Sequence, residues 1–147
     1  MSEKVQKTIL IVEDDCILAV MCQKTLARCG YKSILANTGE DAVDIFKQNL
    51  NTINLILMDI DLGGGMDGTE AAALILNNWH VPVVFLSSHT EPEIVEKTEK
   101  ITSYGYVVKG SGITVLDASI KMAFKLFDAQ QKMNERDERM QKAEIMA

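Results

Sequence analysis

No run of apolar residues in this chain approaches the ~20 needed to span a bilayer, so it is expected to have no membrane partner by itself. The opening stretch Met1 to Lys7 is polar and lacks the apolar segment of a secretory leader, which makes a cytoplasmic location the expectation. Cysteine is scarce and odd in number. Cys16, Cys22 and Cys29 fall in one predicted helix with no CxxC spacing, which argues against a disulfide framework and for reduced thiols. Basic residues are in deficit, 15 against 21 acidic, for a net charge of −6. A nucleic-acid partner wants a basic face, so none is expected. Only two prolines and nine glycines occur, which excludes collagen-like and low-complexity classes. No GxxxxGK[ST] stretch exists, which excludes a P-loop NTPase. What is present is ordinary for one globular domain: 147 residues, 47% apolar and 24% charged. A chain of this size buries roughly two thirds of its unfolded surface.

Short apolar runs rich in β-branched residues alternate with stretches of helical spacing. The runs are Thr8–Val12, Lys32–Ala36, Leu55–Met58, Val81–Leu86 and Tyr104–Val108. Three of them are almost uniformly apolar, as expected of parallel strands covered on both faces. The first helix is expected from about Asp15 to Cys29, with Ile17, Val20, Met21 and Leu26 facing inward and Gly30 just past its end. Thr38 is the expected N-cap of the second, whose apolar positions are Ala42, Val43, Ile45 and Phe46. Gly68-Thr69-Glu70 opens a third, Thr90 to Ile101 reads as a more polar fourth, and Thr114 is the expected cap of a fifth. Five β-α units imply a parallel sheet with right-handed crossovers. A TIM barrel needs about 250 residues, so an open doubly wound sheet remains. In such sheets ligands bind beyond the carboxyl ends of the strands.

Those strand ends carry chemistry. Glu13-Asp14-Asp15 follows the first run, Asp59 and Asp61 the third, Ser87 and Ser88 the fourth, and Lys109 the fifth. A single acid at such a position is most often a helix cap or a solvated loop residue, and Asp15 alone reads that way. Clustered carboxylates repel one another and call for a cation. Oxygen ligands alone select a hard ion such as Mg²⁺. An ion held there could neutralise a phosphoryl group in transfer, with Asp59 as nucleophile forming an acyl phosphate. Ser87 would donate to a phosphoryl oxygen, and Lys109 would pair first with Asp59 and then with the phosphoryl group.

The chain resembles the response-regulator receiver domain of two-component phosphorelays over about Thr8 to Phe127. The resemblance rests on Ile9-Leu-Ile-Val-Glu-Asp-Asp15, Leu57-Met-Asp59, Met66-Asp-Gly68, Pro82-Val-Val-Phe-Leu-Ser87 and Tyr106-Val-Val-Lys109. The stretch Gly65 to Ala72 is similar to receivers attached to PAS or histidine-kinase proteins. The resemblance implies a three-layer α/β/α, flavodoxin-like fold with a five-stranded sheet in the order 2-1-3-4-5. It makes Asp59 the phospho-acceptor, Ser87 the hydroxyl, Lys109 the lysine and Tyr106 the aromatic whose rotamer reports phosphorylation. The metal ligands would be Glu13, Asp14, Asp59 and the backbone carbonyl of Asp61, holding Mg²⁺, with Mn²⁺ able to substitute. Asp15 is the extra acid, and a one-residue shift of register would exchange its role with its neighbours'. The implied partner is a sensor histidine kinase or phosphotransfer protein, and the domain is regulatory rather than an enzyme in its own right.

Two departures stand out. Gly110 follows Lys109 where receivers usually have proline, often after a cis bond. A cis bond before glycine costs about 2.5–4 kcal/mol, so a trans or glycine-specific geometry is expected. The loop after Asp59 contains Gly63-Gly-Gly65, no proline, and is longer than usual. Asp61 and His89 occupy positions that tune the acyl phosphate's lifetime in the family, although His89 alone reads as a solvated loop residue and His80 carries no signal. Three rival readings fit parts of the sequence. Gly63 to Gly68 fits GxGxxG, but no acid closes the fourth strand to hold a ribose. Asp59-Ile-Asp61 fits the DxD of haloacid-dehalogenase-type phosphatases, which need a later acidic cluster that this chain lacks. A degenerate receiver, acting as an interaction module without phosphorylation, would have to explain a complete acid, serine and lysine set.

The sequence divides into a domain over residues 1–127 and a helical extension or linker over 128–147. The fifth helix offers Leu116, Ile120, Ala123 and Phe127 to the sheet. From Asp128 onward there is no Gly or Pro. Met122, Leu126, Ala129, Met133, Arg136, Met140, Ala143 and Ala147 are spaced by four and three, an a/d seam with one polar break. A solvated helical tail is the plain reading, and a coiled coil joining two copies the sharper one.

Overall fold

A computed structural model describes residues 6–88, 91–101 and 104–146. Five strands alternate with five helices: β1 (Thr8–Val12), α1 (Cys16–Arg28), β2 (Lys32–Ala36), α2 (Gly39–Gln48), β3 (Leu55–Asp59), α3 (Gly68–Asn78), β4 (Val83–Ser87), α4 (Pro92–Ile101), β5 (Tyr106–Val108) and α5 (Ile113–Met146). All strand pairs are parallel, in the order β2-β1-β3-β4-β5, which is the expected topology. The inner strands β1 and β3 are buried along their whole length, as their unbroken apolar runs require.

Alternation along the strands divides the core between two faces. Leu10, Val12, Ile56, Met58, Val83 and Phe85 pack against α2 and α3 through Ala42, Val43, Phe46, Ala71, Ala72 and Ile75. Ile9, Ile11, Leu55, Leu57, Val84 and Val107 pack against Leu26 of α1 and Leu116, Ile120 and Ala123 of α5. Helices therefore cover both faces, giving the three-layer sandwich.

Local signals explain most boundaries. Thr38 Oγ1 accepts from the Asp41 amide, capping α2 as expected. Gly30, with φ +93°, follows the end of α1 in the left-handed region that suits glycine there. β4 begins after Pro82, which has no N–H to give the ladder, although its carbonyl accepts from Ile56 at 3.0 Å. α3 opens on Asp67, whose Oδ1 takes the Glu70 amide at 2.8 Å and the Thr69 hydroxyl at 2.7 Å. The first residue expected of α4, Thr90, lies outside the described residues, as does Ala147.

Two expectations are corrected. Ile17, Val20 and Met21 do not face inward: they are exposed, and α1 buries Ala19 together with Leu26, which was expected to face inward. α1 carries two apolar stripes. The one that turns toward the sheet carries small Ala19, half-buried Cys22 and Leu26. Thr114 is not a cap. It lies inside the first turn of α5, where Leu116 N donates to the Gly112 carbonyl.

α5 then runs unbroken to Met146. Phe127 marks where it leaves the sandwich: its ring lies 4.8 Å from His80 and 5.6 Å from Tyr104, centroid to centroid. His80 thus has a packing role that its sequence context did not suggest.

Candidate functional site

The carboxyl ends of β1, β3, β4 and β5 meet at one edge of the sheet. β1 and β3 lie side by side, which brings Glu13 and Asp14, just past β1, beside Asp59, the last residue of β3. One carboxylate oxygen from each of Glu13, Asp14 and Asp59 lies within 4.8 Å of the others. Glu13 and Asp59 are buried and Asp14 is exposed.

Lys109 enters from the end of β5, one strand beyond β4. Its backbone N–H donates to the Ser87 carbonyl at 2.8 Å, tying the two strand ends together. Its ammonium reaches across to Glu13 Oε1 and Asp59 Oδ2, both at 3.0 Å. Burial pulls the Lys109 pKa down, but hydrogen bonds to the two carboxylates outweigh it and raise the pKa above its ordinary value. Asp14 is also pushed upward, first by desolvation and then by a hydrogen bond with Glu13. One ammonium faces three carboxylates, so the cluster is short of positive charge.

Around this centre the backbone is held tightly. Asp61 N donates to Asp59 Oδ1 at 3.2 Å. Gly68 N donates to the Ile60 carbonyl at 2.9 Å, docking the start of α3 against the acceptor strand. The approach is so close that a Cβ on Gly68 would sit 2.0 Å from the Asp59 carbonyl oxygen. The glycine loop is anchored from outside by Glu40 Oε1, which accepts from Met66 N at 2.9 Å. Glu40 was not anticipated from sequence; its position in the first turn of α2 reads simply as an acid favoured by the helix dipole.

The expected residues therefore sort as follows. Glu13, Asp14, Asp59 and Lys109 come together, and Ser87 is buried at the adjoining strand end. Tyr106 is half-buried on β5. Asp15 stays out of the cluster: its Oδ1 caps α1, accepting from Ile17 and Leu18 at 3.0 and 3.2 Å. Gly110 has φ +86° and no cis peptide occurs among the described residues, the glycine-specific geometry expected. His89 lies outside the described residues.

Beside the acidic cluster, rather than in it, is an apolar groove of about 440 Å³ between α1 and the β5–α5 loop. Leu18, Met21, Cys22, Ile113 and Leu116 line it, together with Glu13 and Lys109 of the site.

Residues 9–121 match the family described as response regulator receiver domain, and the chain belongs to that family. It is 31% identical over 101 residues to the Two-component response regulator ARR10 of Arabidopsis thaliana, covering 69% of this chain and 18% of that protein. The chain thus spans about a fifth of that relative's length. The N-terminal domain of a response regulator/sensory box/GGDEF three-domain protein from Carboxydothermus hydrogenoformans superposes with a TM-score of 0.77 at 44% identity, covering 84% of this chain and 98% of that one. A fusion protein carrying a piece of the yeast Spc42 trimeric coiled coil superposes with a TM-score of 0.84 at 43% identity, covering 94% and 88%. The family is regulatory and its members generally bind Mg²⁺ and work with histidine kinases or phosphotransfer proteins. No helix among the described residues is long and apolar enough to cross a membrane.

Proposed function

We propose that Asp59 accepts a phosphoryl group from a histidine kinase or phosphotransfer partner and that the resulting charge change switches a partner-binding surface. The observation that carries this reading is the buried Asp59 carboxylate held beside Glu13 and Asp14 with Lys109 as its counter-ion. The donor set suits Mg²⁺: oxygen atoms only, clustered carboxylates, and a deficit of positive charge. Glu13, Asp14, Asp59 and the Asp61 carbonyl would hold it. Bound there, the ion would offset the negative charge of the transferring group.

The chain's own groups perform the remaining steps. An oxygen of the Asp59 carboxylate attacks phosphorus, the bond to the donor imidazole nitrogen breaks, and the nitrogen keeps the electron pair. Lys109 gives up its pairing with Asp59 for a phosphoryl oxygen, retaining Glu13 as a second anchor. Ser87, at the end of β4, donates to another oxygen. Because Lys109 N and the Ser87 carbonyl share a hydrogen bond, a shift of either strand end is felt by both. Tyr106, two residues before the β5 end and paired in register with Phe85, would repack in response. The exposed apolar side chains Ile17, Leu18 and Met21, immediately after the acidic turn, offer the donor a contact surface. Residues 1–127 would form the receiver and 128–147 its helical extension, acting in the cytoplasm with no catalytic role beyond its own phosphorylation and dephosphorylation.

The test is intact mass after incubation with acetyl phosphate, with and without Mg²⁺, for wild type and Asp59→Ala. A gain of one phosphoryl group that needs both Mg²⁺ and Asp59 is expected. No adduct on the wild type would make this a degenerate receiver, working as an interaction module without phosphate.

A further inference from the structure

We infer that α5 pairs in parallel, in register, with α5 of a second copy of this chain. The seam begins inside the sandwich and continues beyond it. Met122, Leu126, Met133 and Met140 are 55%, 45%, 57% and 58% exposed, although the same helix buries Leu116, Ile120 and Ala123 against the sheet. The exposed set repeats every seven residues together with Ala129, Arg136 and Ala143. Leu126, Met133 and Met140 take the a positions, and Met122, Ala129, Arg136 and Ala143 the d positions. Alanines at d let two backbones approach closely. A helix extended into water past Phe127 gains little from its own sheet, and most helical stability in proteins comes from packing an apolar face.

Charge selects the occupant and its direction. In a parallel pair, a g residue meets the e residue five positions later on the other helix. Lys132 is at g and Asp137 at the following e, and both are exposed. The sequence repeats the pattern with Arg139 and Glu144. Parallel pairing therefore sets basic against acidic side chains twice, on each side of the seam. Antiparallel pairing would set g against g and e against e, which are basic on basic and acid on acid. A partner that satisfies the a/d spacing and both charge pairs is another copy of this same helix. Arg136 is the one charged residue in the seam. It weakens the pair while penalising slipped registers, as a polar core position does. The pairing does not depend on Asp59 accepting phosphate, so either claim can fail alone.

Sedimentation velocity over a range from low to several hundred micromolar tests it on the whole chain. Wild type is expected to move from monomer to dimer. Arg136→Leu should tighten the dimer at least about tenfold, the equivalent of 1.4 kcal/mol. Met133→Glu, at a site exposed beyond the sandwich, should abolish it without loss of fold by circular dichroism. Lys132→Glu should weaken it, and Lys132→Glu with Asp137→Lys should restore it. A strict monomer for both wild type and Arg136→Leu overturns the proposal. So does a trimer, or a charge swap that fails to rescue.

Discussion

The Lys109 ammonium lies 3.0 Å from Asp59 Oδ2, although fifty residues separate the two in sequence. The same ammonium also holds Glu13 at 3.0 Å, so one cation bridges two buried carboxylates. Glu13 and Asp59 have water largely excluded, and their repulsion is offset chiefly by this contact.

Lys109→Met is therefore expected to destabilise the metal-free protein by about 1–3 kcal/mol, the range for losing a charged hydrogen-bond partner of buried groups. Part of that loss should return on adding Mg²⁺, since the cluster then has another cation. Thermal unfolding of both proteins with and without Mg²⁺ checks this. A variant as stable as wild type in the absence of metal would show that the bridge carries no weight.

Gly68→Ala is expected to damage the acceptor strand from the far side. The added carbon would fall 2.0 Å from the Asp59 carbonyl oxygen, a backbone atom that cannot swing aside. Overpacking of this kind costs typically about 1–3 kcal/mol, and here the start of α3 must also shift. Chemical denaturation should place the loss at or above that range, with slower phosphorylation of Asp59. Gly64→Ala, where a Cβ meets nothing within 4 Å, should leave stability nearly unchanged.

The two stripes of α1 separate by mutation. Leu26→Ala removes a fully buried side chain and should cost about 2–5 kcal/mol. Ile17→Ala removes an exposed one and should stay within about 0.5 kcal/mol. Equal costs would return Ile17 to the core. The larger effect expected of Ile17→Ala is on transfer from a phosphodonor protein, with phosphorylation by acetyl phosphate unaffected.

Cysteine reactivity should divide by burial and pH. Desolvation pushes the Cys22 thiol up to about 11, with the negative charge of Glu13 adding to the effect. The thiolate is the reactive form, so Cys22 should remain nearly inert to maleimide at pH 8 and gain reactivity only as pH approaches 11. Cys16 is exposed and should be labelled first. Peptide mapping of alkylated protein as a function of pH distinguishes the two, and fast labelling of Cys22 at neutral pH would contradict the burial described.

The fold was legible because the strands advertise themselves. Ile9-Leu-Ile-Val12 and Leu55-Ile-Leu-Met58 have no polar interruption, and such runs belong in the middle of a parallel sheet, where they are found. The candidate site was legible for the same reason: each chemically useful residue ends a strand or directly follows one, and parallel strands end together. What stayed hidden depended on shape. Nothing in the spacing of Ile17, Val20 and Met21 reveals that Ala19 and Cys22 fit the sheet better. α3 opens at Gly68 as expected, but neither the Asp67 cap before it nor the close approach of Gly68 to β3 shows in the spacing. Glu40 holding the Met66 amide is a contact across 26 residues that no local pattern encodes.

The central claim is that Asp59, among the acids gathered at this sheet edge, carries the phosphoryl group. Reductive trapping tests it most directly. The chain is phosphorylated with acetyl phosphate and Mg²⁺, treated with borohydride, digested and sequenced by mass spectrometry. An acyl phosphate is reduced to the alcohol, so Asp59 should read as homoserine. Homoserine at Asp14 or Asp61 with Asp59 intact, or no conversion at any acid, would contradict the account.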